Sequence, residues 1–196
     1  LSTALAVKQN AEASLNIFSD SEELKNTIRN QQENTIKLVC ETLGLEIDDM
    51  LATCAYICLS PTLGFVHLRG DGAVALVKNS GDIKMTSYQW NKNTPLYPAY
   101  ADDDYKSFID CHGGDSAMKA LRVESWEFKA DRSLISSKDE HVSVTEGIAG
   151  AFHLFSKDEI EELSYVAVFT DGVTQVGSIV GGGSDFMDWR DVVFQL

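Results

Sequence analysis

Apolar and polar positions alternate with two different periods along the chain. Leu24, Ile28, Ile36, Val39, Cys40 and Leu43 fall mostly on one face of a 3.6-residue repeat. Ser19 and Glu22 stand three apart at its head, in capping-box spacing, and Gly44 follows as a C-cap. The pattern predicts a long amphipathic helix over 20–43. Residues 1–16, "LSTALAVKQN" and beyond, read as the end of another helix in a chain whose start lies upstream. The period then shortens. "MLATCAYICLS" (50–60), "GFVHLRG" (64–70), "AVALVKN" (73–79) and "IKMTSY" read as strands, with "NSGD" as a turn between the last two. This centre is expected to form a meander of four antiparallel strands, with Asp71 between Gly70 and Gly72 at one join.

Residues 91–120 break the pattern. Pro95, Pro98, the triplet Asp102-Asp103-Asp104 and the pair Gly113-Gly114 predict a long loop or flap. "ESWEFKA" and "HVSVTEG" read as strands again. "SKDEIEEL" (156–163) is a short helix with Ser156 at its N-cap and Glu159 three later. "YVAVFTDGVTQV" (165–176) opens as a buried strand and stops at Asp171-Gly172. A glycine-rich stretch follows, and "DWRDVVFQL" reads as the first turns of another helix. Helices, several antiparallel strands, helix, strand: this order predicts an α+β fold with helices covering sheet faces.

Composition narrows the partners. A chain of 196 residues suits one domain with a real core. Thirty acids against sixteen bases give a formal charge of −14. Such a surface repels nucleic acid and anionic membrane, so neither is expected as a partner. Phosphate substrates stay open, because a bound divalent cation reverses the local field. Cys40, Cys54, Cys58 and Cys111 lack C-x-x-C spacing. Cys54 and Cys58 lie in an apolar run and read as small core residues. A reducing, cytoplasmic setting is the simplest one. No apolar run approaches ~18–20 residues, so no membrane span is expected, and there is no signal-peptide pattern.

Several chemistries are absent. G-x-x-x-x-G-K-[ST], H-E-x-x-H and G-x-S-x-G do not occur. No cysteine has an arginine six residues on, as a thiol phosphatase needs, and Leu1 is not a terminal nucleophile. What remains are two acids each followed by glycine, Asp71-Gly72 and Asp171-Gly172. A carboxylate at the end of a rigid strand is well placed, and the glycine lets the chain turn at once. Mg²⁺ and Mn²⁺ want hard oxygen ligands in octahedral geometry. Two or three such carboxylates at neighbouring strand ends make a metal site. The plainer reading of Asp-Gly is a turn dipeptide. Other candidates have plain readings too. His67 alternates with Phe65 and Arg69 on one strand face and reads as a satisfied sheet histidine. His141 and His153 lack a spaced partner. Asp102, Asp103 and Asp104 read as a solvated loop, with a place near the metal site as the alternative, and Asp185 and Asp188 read equally as helix caps or as acids facing that site from a loop.

"YVAVFTDGVTQV" resembles the strand-and-turn motif of the type 2C metal-dependent protein phosphatases, in which aliphatic residues end in Thr-Asp-Gly. "TLGFVHLRGDGAVALVKNSGDIKMTS" is similar to that family's hairpin, in which a strand reaches Gly-Asp. The order and interval of the two motifs suit the family, and the flanking helices and strand fit it coarsely. The resemblance implies a four-layer α-β-β-α sandwich of two antiparallel sheets. It implies Asp171 as a shared ligand of a Mn²⁺ or Mg²⁺ cluster and Asp71 as a holder of an additional, weaker metal. It implies hydrolysis of phosphoserine or phosphothreonine in a phosphoprotein substrate by a metal-activated water, with no protein nucleophile.

The chain departs from that family at three places. The hairpin reads Gly70-Asp71-Gly72-Ala73 where the family has Gly-Asp-Ser-Arg. The family's earlier Asp-Gly, its phosphate-binding arginine and its closing aspartate have no counterpart. The expectation is therefore one phosphatase-like domain over 1–196, incomplete at both ends. "FIDCHGGD" (108–115) resembles the family's Asp-Gly-His-Gly-Gly loop but lies after the hairpin, with Cys111 replacing a glycine. Asp110 and His112 read as flap residues rather than ligands. Two other readings stand beside the enzyme: a non-catalytic phosphatase-like regulatory or binding module, and an unrelated α+β domain whose Asp-Gly pairs are turns.

Overall fold

The computed structural model describes residues 21–61, 63–100, 105–170 and 189–194. Its first helix, α1 (Ser21–Leu43), follows the apolar stripe, with Leu24, Ile28 and Cys40 buried. Gly44 ends it at φ +64°, a left-handed conformation that glycine adopts without strain. Ser19 lies outside the described residues.

Among the described residues eight strands follow: β1 (Cys54–Leu59), β2 (Gly64–Arg69), β3 (Gly72–Lys78), β4 (Ile83–Trp90), β5 (Lys119–Phe128), β6 (Leu134–Ser143), β7 (Ala151–Phe155) and β8 (Leu163–Thr170). They form two antiparallel sheets, one ordered β1-β2-β7 and the other β6-β5-β4-β3-β8. Short helices lie between them: α2 (Lys106–Cys111), α3 (Val144–Gly147), α4 (Lys157–Glu162) and, near the end, α5 (Trp189–Val193).

Strand alternation fixes the layers. Val66 of β2, Val74 of β3 and Phe155 of β7 are buried together between the sheets, with Ile57, Leu76, Val166 and Val168 around them. The next residues along each strand point the other way. Phe65 meets Leu24 and Ile28 of α1 on the outer face of the three-stranded sheet. Ala73, Ala75 and Met85 meet Val193 of α5 on the outer face of the five-stranded sheet. The order is helix, sheet, sheet, helix, so the α+β sandwich of four layers expected from the sequence is present. The alanines on β3 keep its outer face flat enough for α5 to lie close.

Four local expectations need correction. The central strands are not one meander: β1 and β2 belong to one sheet, β3 and β4 to the other. The chain changes sheets at Gly70-Asp71. Within 91–120, expected as a long loop or flap, residues 91–100 and 105–112 pack into the body of the domain. Leu96, Phe108 and His112 are fully buried there, against Trp90 and Leu121. A few well-spaced apolar residues make a small core that a polar average hides. Val144–Gly147 is a helical turn rather than a strand, because Ser143 and Glu146 form a reciprocal capping box. β7 falls in a segment for which no strand is expected from the sequence. The helix at Ser156 stands as expected, with the same reciprocal cap from Glu159.

No helix among the described residues is long and apolar enough to cross a membrane.

Candidate metal-binding corner

The corner is built from the residues where the chain changes sheets. Gly70 has φ +116°, and a Cβ on it would lie 2.5 Å from Thr53 Oγ1 and 3.0 Å from Thr53 Cα. Both the backbone conformation and the space therefore require glycine. Gly72 is required for a different reason. A Cβ there would lie 2.3 Å from the Phe169 carbonyl oxygen on β8. β3 and β8 approach too closely here for a serine or any other side chain.

Asp71 sits between these glycines, 7 % exposed. Its Oδ1 accepts a hydrogen bond of 2.8 Å from the Trp90 backbone N–H, at the end of β4. Thr53 Oγ1 donates to the Asp71 carbonyl at 3.4 Å. The carboxylate is oriented by backbone, as a preplaced ligand must be, and the same bond makes it a structural brace. Gly72 is the register partner of Thr170 across the β3–β8 ladder. The residue after Asp71 thus faces the residue before Asp171. Asp171 itself lies outside the described residues, as do Asp102, Asp103, Asp104, Asp185 and Asp188. Among the described residues, no three His, Cys, Asp or Glu side chains converge as a metal site.

Behind the corner lies a buried polar network that the sequence reading missed. Arg69, two residues before Asp71, is fully buried. Its Nη1 donates to Gln32 Oε1 at 3.2 Å and Glu33 Oε1 at 3.1 Å, and its Nη2 donates to Tyr105 Oη at 3.0 Å. The Tyr105 hydroxyl donates to Glu33 in turn. Burial, above all, pushes the Tyr105 phenol up to about 12. Gln32 Nε2 also reaches the Tyr56 hydroxyl, the Cys54 thiol and His67 Nδ1. A signal existed for this network. His67 and Arg69 share a strand face with Phe65, so the facing helix must answer them, and "RNQQEN" interrupts the stripe of α1 at that level.

The histidines divide cleanly. His67 is fully buried, and its Nε2 lies 3.3 Å from the Ala149 carbonyl. With Gln32 donating to Nδ1, the neutral Nε2–H tautomer satisfies both ring nitrogens. Burial pushes its pKa down to about 4, the Ala149 carbonyl opposing and the Arg69 charge adding to the fall. It is the satisfied sheet histidine expected. His112 is buried against Phe108 and Trp90, with Nε2 3.2 Å from the Thr94 carbonyl, while Asp110 is exposed on α2. His141 is exposed on β6. His153 does have a partner, contrary to expectation: Glu159 Oε1 lies 3.7 Å away across the turn into α4. Cys40 is buried, Cys54 and Cys58 are half-buried, Cys111 is exposed, and all four are free thiols.

No protein-family model, curated protein or solved structure matches the chain.

Proposed function

We propose that the chain is a metal-dependent serine/threonine protein phosphatase domain of the type 2C class, acting on phosphoserine or phosphothreonine in a phosphoprotein. Asp71 and Asp171 are the ligands it contributes to a Mn²⁺ or Mg²⁺ site. The observation that carries the reading is the β3–β8 register, in which Gly72 faces Thr170. Two acids a hundred residues apart in sequence are thereby attached to the same end of one ladder. The sandwich with helices on both outer faces agrees with the same class.

The protein's own part is placement. The Trp90 amide holds the Asp71 carboxylate, and the Arg69–Glu33–Tyr105 network anchors the end of β2 that leads to it. A bound divalent cation supplies a lowered water pKa and neutralises charge on the phosphoryl oxygens. It also offsets the repulsion between phosphate and a chain of charge −14. Four free thiols agree with a reducing cytoplasm as the working compartment.

One observation favours the non-catalytic reading. The tight Gly72–Phe169 contact excludes the serine that this family usually carries after the aspartate. A single assay separates the two. Hydrolysis of p-nitrophenyl phosphate and a phosphothreonine peptide by the full-length protein is measured with and without Mn²⁺. Mn²⁺-dependent turnover that Asp171→Asn abolishes is expected. Turnover indifferent to Mn²⁺, or unchanged in Asp171→Asn, overturns the assignment. Mn²⁺ binding without turnover selects the binding module.

A further inference from the structure

The two sheets differ in width, and the difference leaves a shelf. Among the described residues, three strands lie over five. The cluster between the sheets draws on β1, β2, β7, β3, β4, β8 and α4, and on no residue of β5 or β6. β1 lies over β8, so the surplus is all on the far side, beyond β7. The register shows what that shelf presents. Val74 and Leu76 face the gap between the sheets, and their cross-strand partners share that face. One row therefore runs Thr86, Ser125, Lys138, and the next Lys84, Glu127, Ser136. A third row, Tyr88, Val123, Glu140, lies toward the insert that covers the other end. The first two rows are polar and open. Ser125 and Glu127 are half-buried, and Lys138 and Ser136 are exposed.

β7 stands over this shelf as a free edge. Among the described residues it pairs only with β2, and Ala151–Phe155 carries no lysine, proline or acid to blunt it. The other edges left unpaired among the described residues lack such a seat. β1 and β8 overlie each other, and β6 is exposed on both faces. Neighbouring strands lie about 5 Å apart, so two surplus strands leave about 10 Å, more than the width of one added strand. At the Phe155 end the groove deepens into a cavity of about 320 Å³, floored by Leu76, Ile83, Phe155 and Leu163. Five carboxylates (Asp82, Glu127, Glu140, Glu159, Glu162) border the groove against three lysines (Lys78, Lys84, Lys138). Lys78 pairs with Glu162 and Lys138 with Glu140, which leaves Asp82, Glu127 and Glu159 against Lys84. Burial holds the His153 imidazole below its ordinary value, so it adds little positive charge at neutral pH.

We propose that this groove binds an extended, basic polypeptide segment as an added strand on β7. Backbone pairing to β7 supplies the affinity, as in other cases of strand addition. Side chains two apart then fall on successive rows: an apolar residue in the cavity, one lysine or arginine over the Glu127 row and the next over the Ser125-Lys138 row, between Glu127 and Glu140. The Ala151 end of the groove lies beside Gly70 and Tyr88, but the proposal needs no metal and does not rest on the phosphatase reading.

The test uses the full-length protein and fluorescein-labelled Lys-Thr-Lys-Thr-Leu, read by anisotropy. Two control peptides replace both lysines by glutamate or both threonines by proline; the latter removes backbone N–H donors. The basic peptide is expected to bind about tenfold or more tightly than either control. Binding should weaken by a similar factor in Glu127→Lys/Glu140→Lys, and amide exchange in Ala151–Phe155 should slow. Lys138→Glu, a fully folded surface change, should tighten it, which keeps the test decisive if the double variant is unstable. No binding at about 1 mM peptide overturns the proposal. So does equal binding of the three peptides, indifference to Lys138→Glu, or protection that appears on β8 instead of β7.

Discussion

Asp71 has two roles that a pair of substitutions separates. Its Oδ1 satisfies a buried backbone N–H. Asp71→Asn keeps an acceptor there and should leave the melting temperature nearly unchanged while weakening Mn²⁺ binding. Asp71→Ala strands the Trp90 amide, and should cost about 1–3 kcal/mol of stability in denaturant titrations. Equal destabilisation by both would mean that charge, not acceptance, braces the corner. His67 gives a pH signature. It stays neutral in the fold down to about 4, whereas the unfolded chain protonates it near 6.5. Between those values the unfolded state binds more protons, so stability falls as pH falls. A shift of that size is worth on the order of 3 kcal/mol. His67→Gln should flatten the acid limb of stability against pH by a comparable amount.

At the scale of elements, α1 is fastened to the three-stranded sheet by both oil and charge. Leu24 and Ile28 do the apolar part, and the Glu33–Arg69 pair the polar part. Removing one partner leaves the other buried and uncompensated. Glu33→Ala should therefore cost about 3–5 kcal/mol, and Tyr105→Phe, which removes one hydroxyl from the network, about 1 kcal/mol. The caps of the short helices are worth less: Ser143→Ala and Ser156→Ala should each cost about 1 kcal/mol. These elements also show what was legible in the sequence. Periodicity found α1, β2, β3 and β4, because each has one wet and one dry side or lies wholly inside. The Ser156 cap announced α4. The Ser143 cap carried the same spacing and was hidden inside a strand-like "HVSV". Residues 91–100 and 105–112 defeat averaging: apolar residues such as Leu96 and Phe108 reach inward from an otherwise polar stretch.

For the molecule as a whole, the sequence indicated two sheets only through a family likeness. Strand periodicity cannot say which strands share a sheet, since that depends on corners such as Gly70-Asp71. The likeness also named Asp71 and Asp171 but was silent on Arg69, Glu33 and Tyr105. No motif records a network whose members are joined only by folding. With a charge of −14, the chain should gain thermal stability from any divalent ion its folded form prefers. A rise in melting temperature with Mn²⁺ that Asp71→Asn reduces would tie that gain to the corner.

Trp90 joins the two halves of this picture. Its amide is bound to Asp71, while its indole packs 5.0 Å from Phe108 and 5.5 Å from His112 in the insert. An indole so placed is a built-in optical gauge of the carboxylate beside it. In a protein whose two other tryptophans, Trp126 and Trp189, are replaced by phenylalanine, a cation arriving at Asp71 should change the emission of the one that remains.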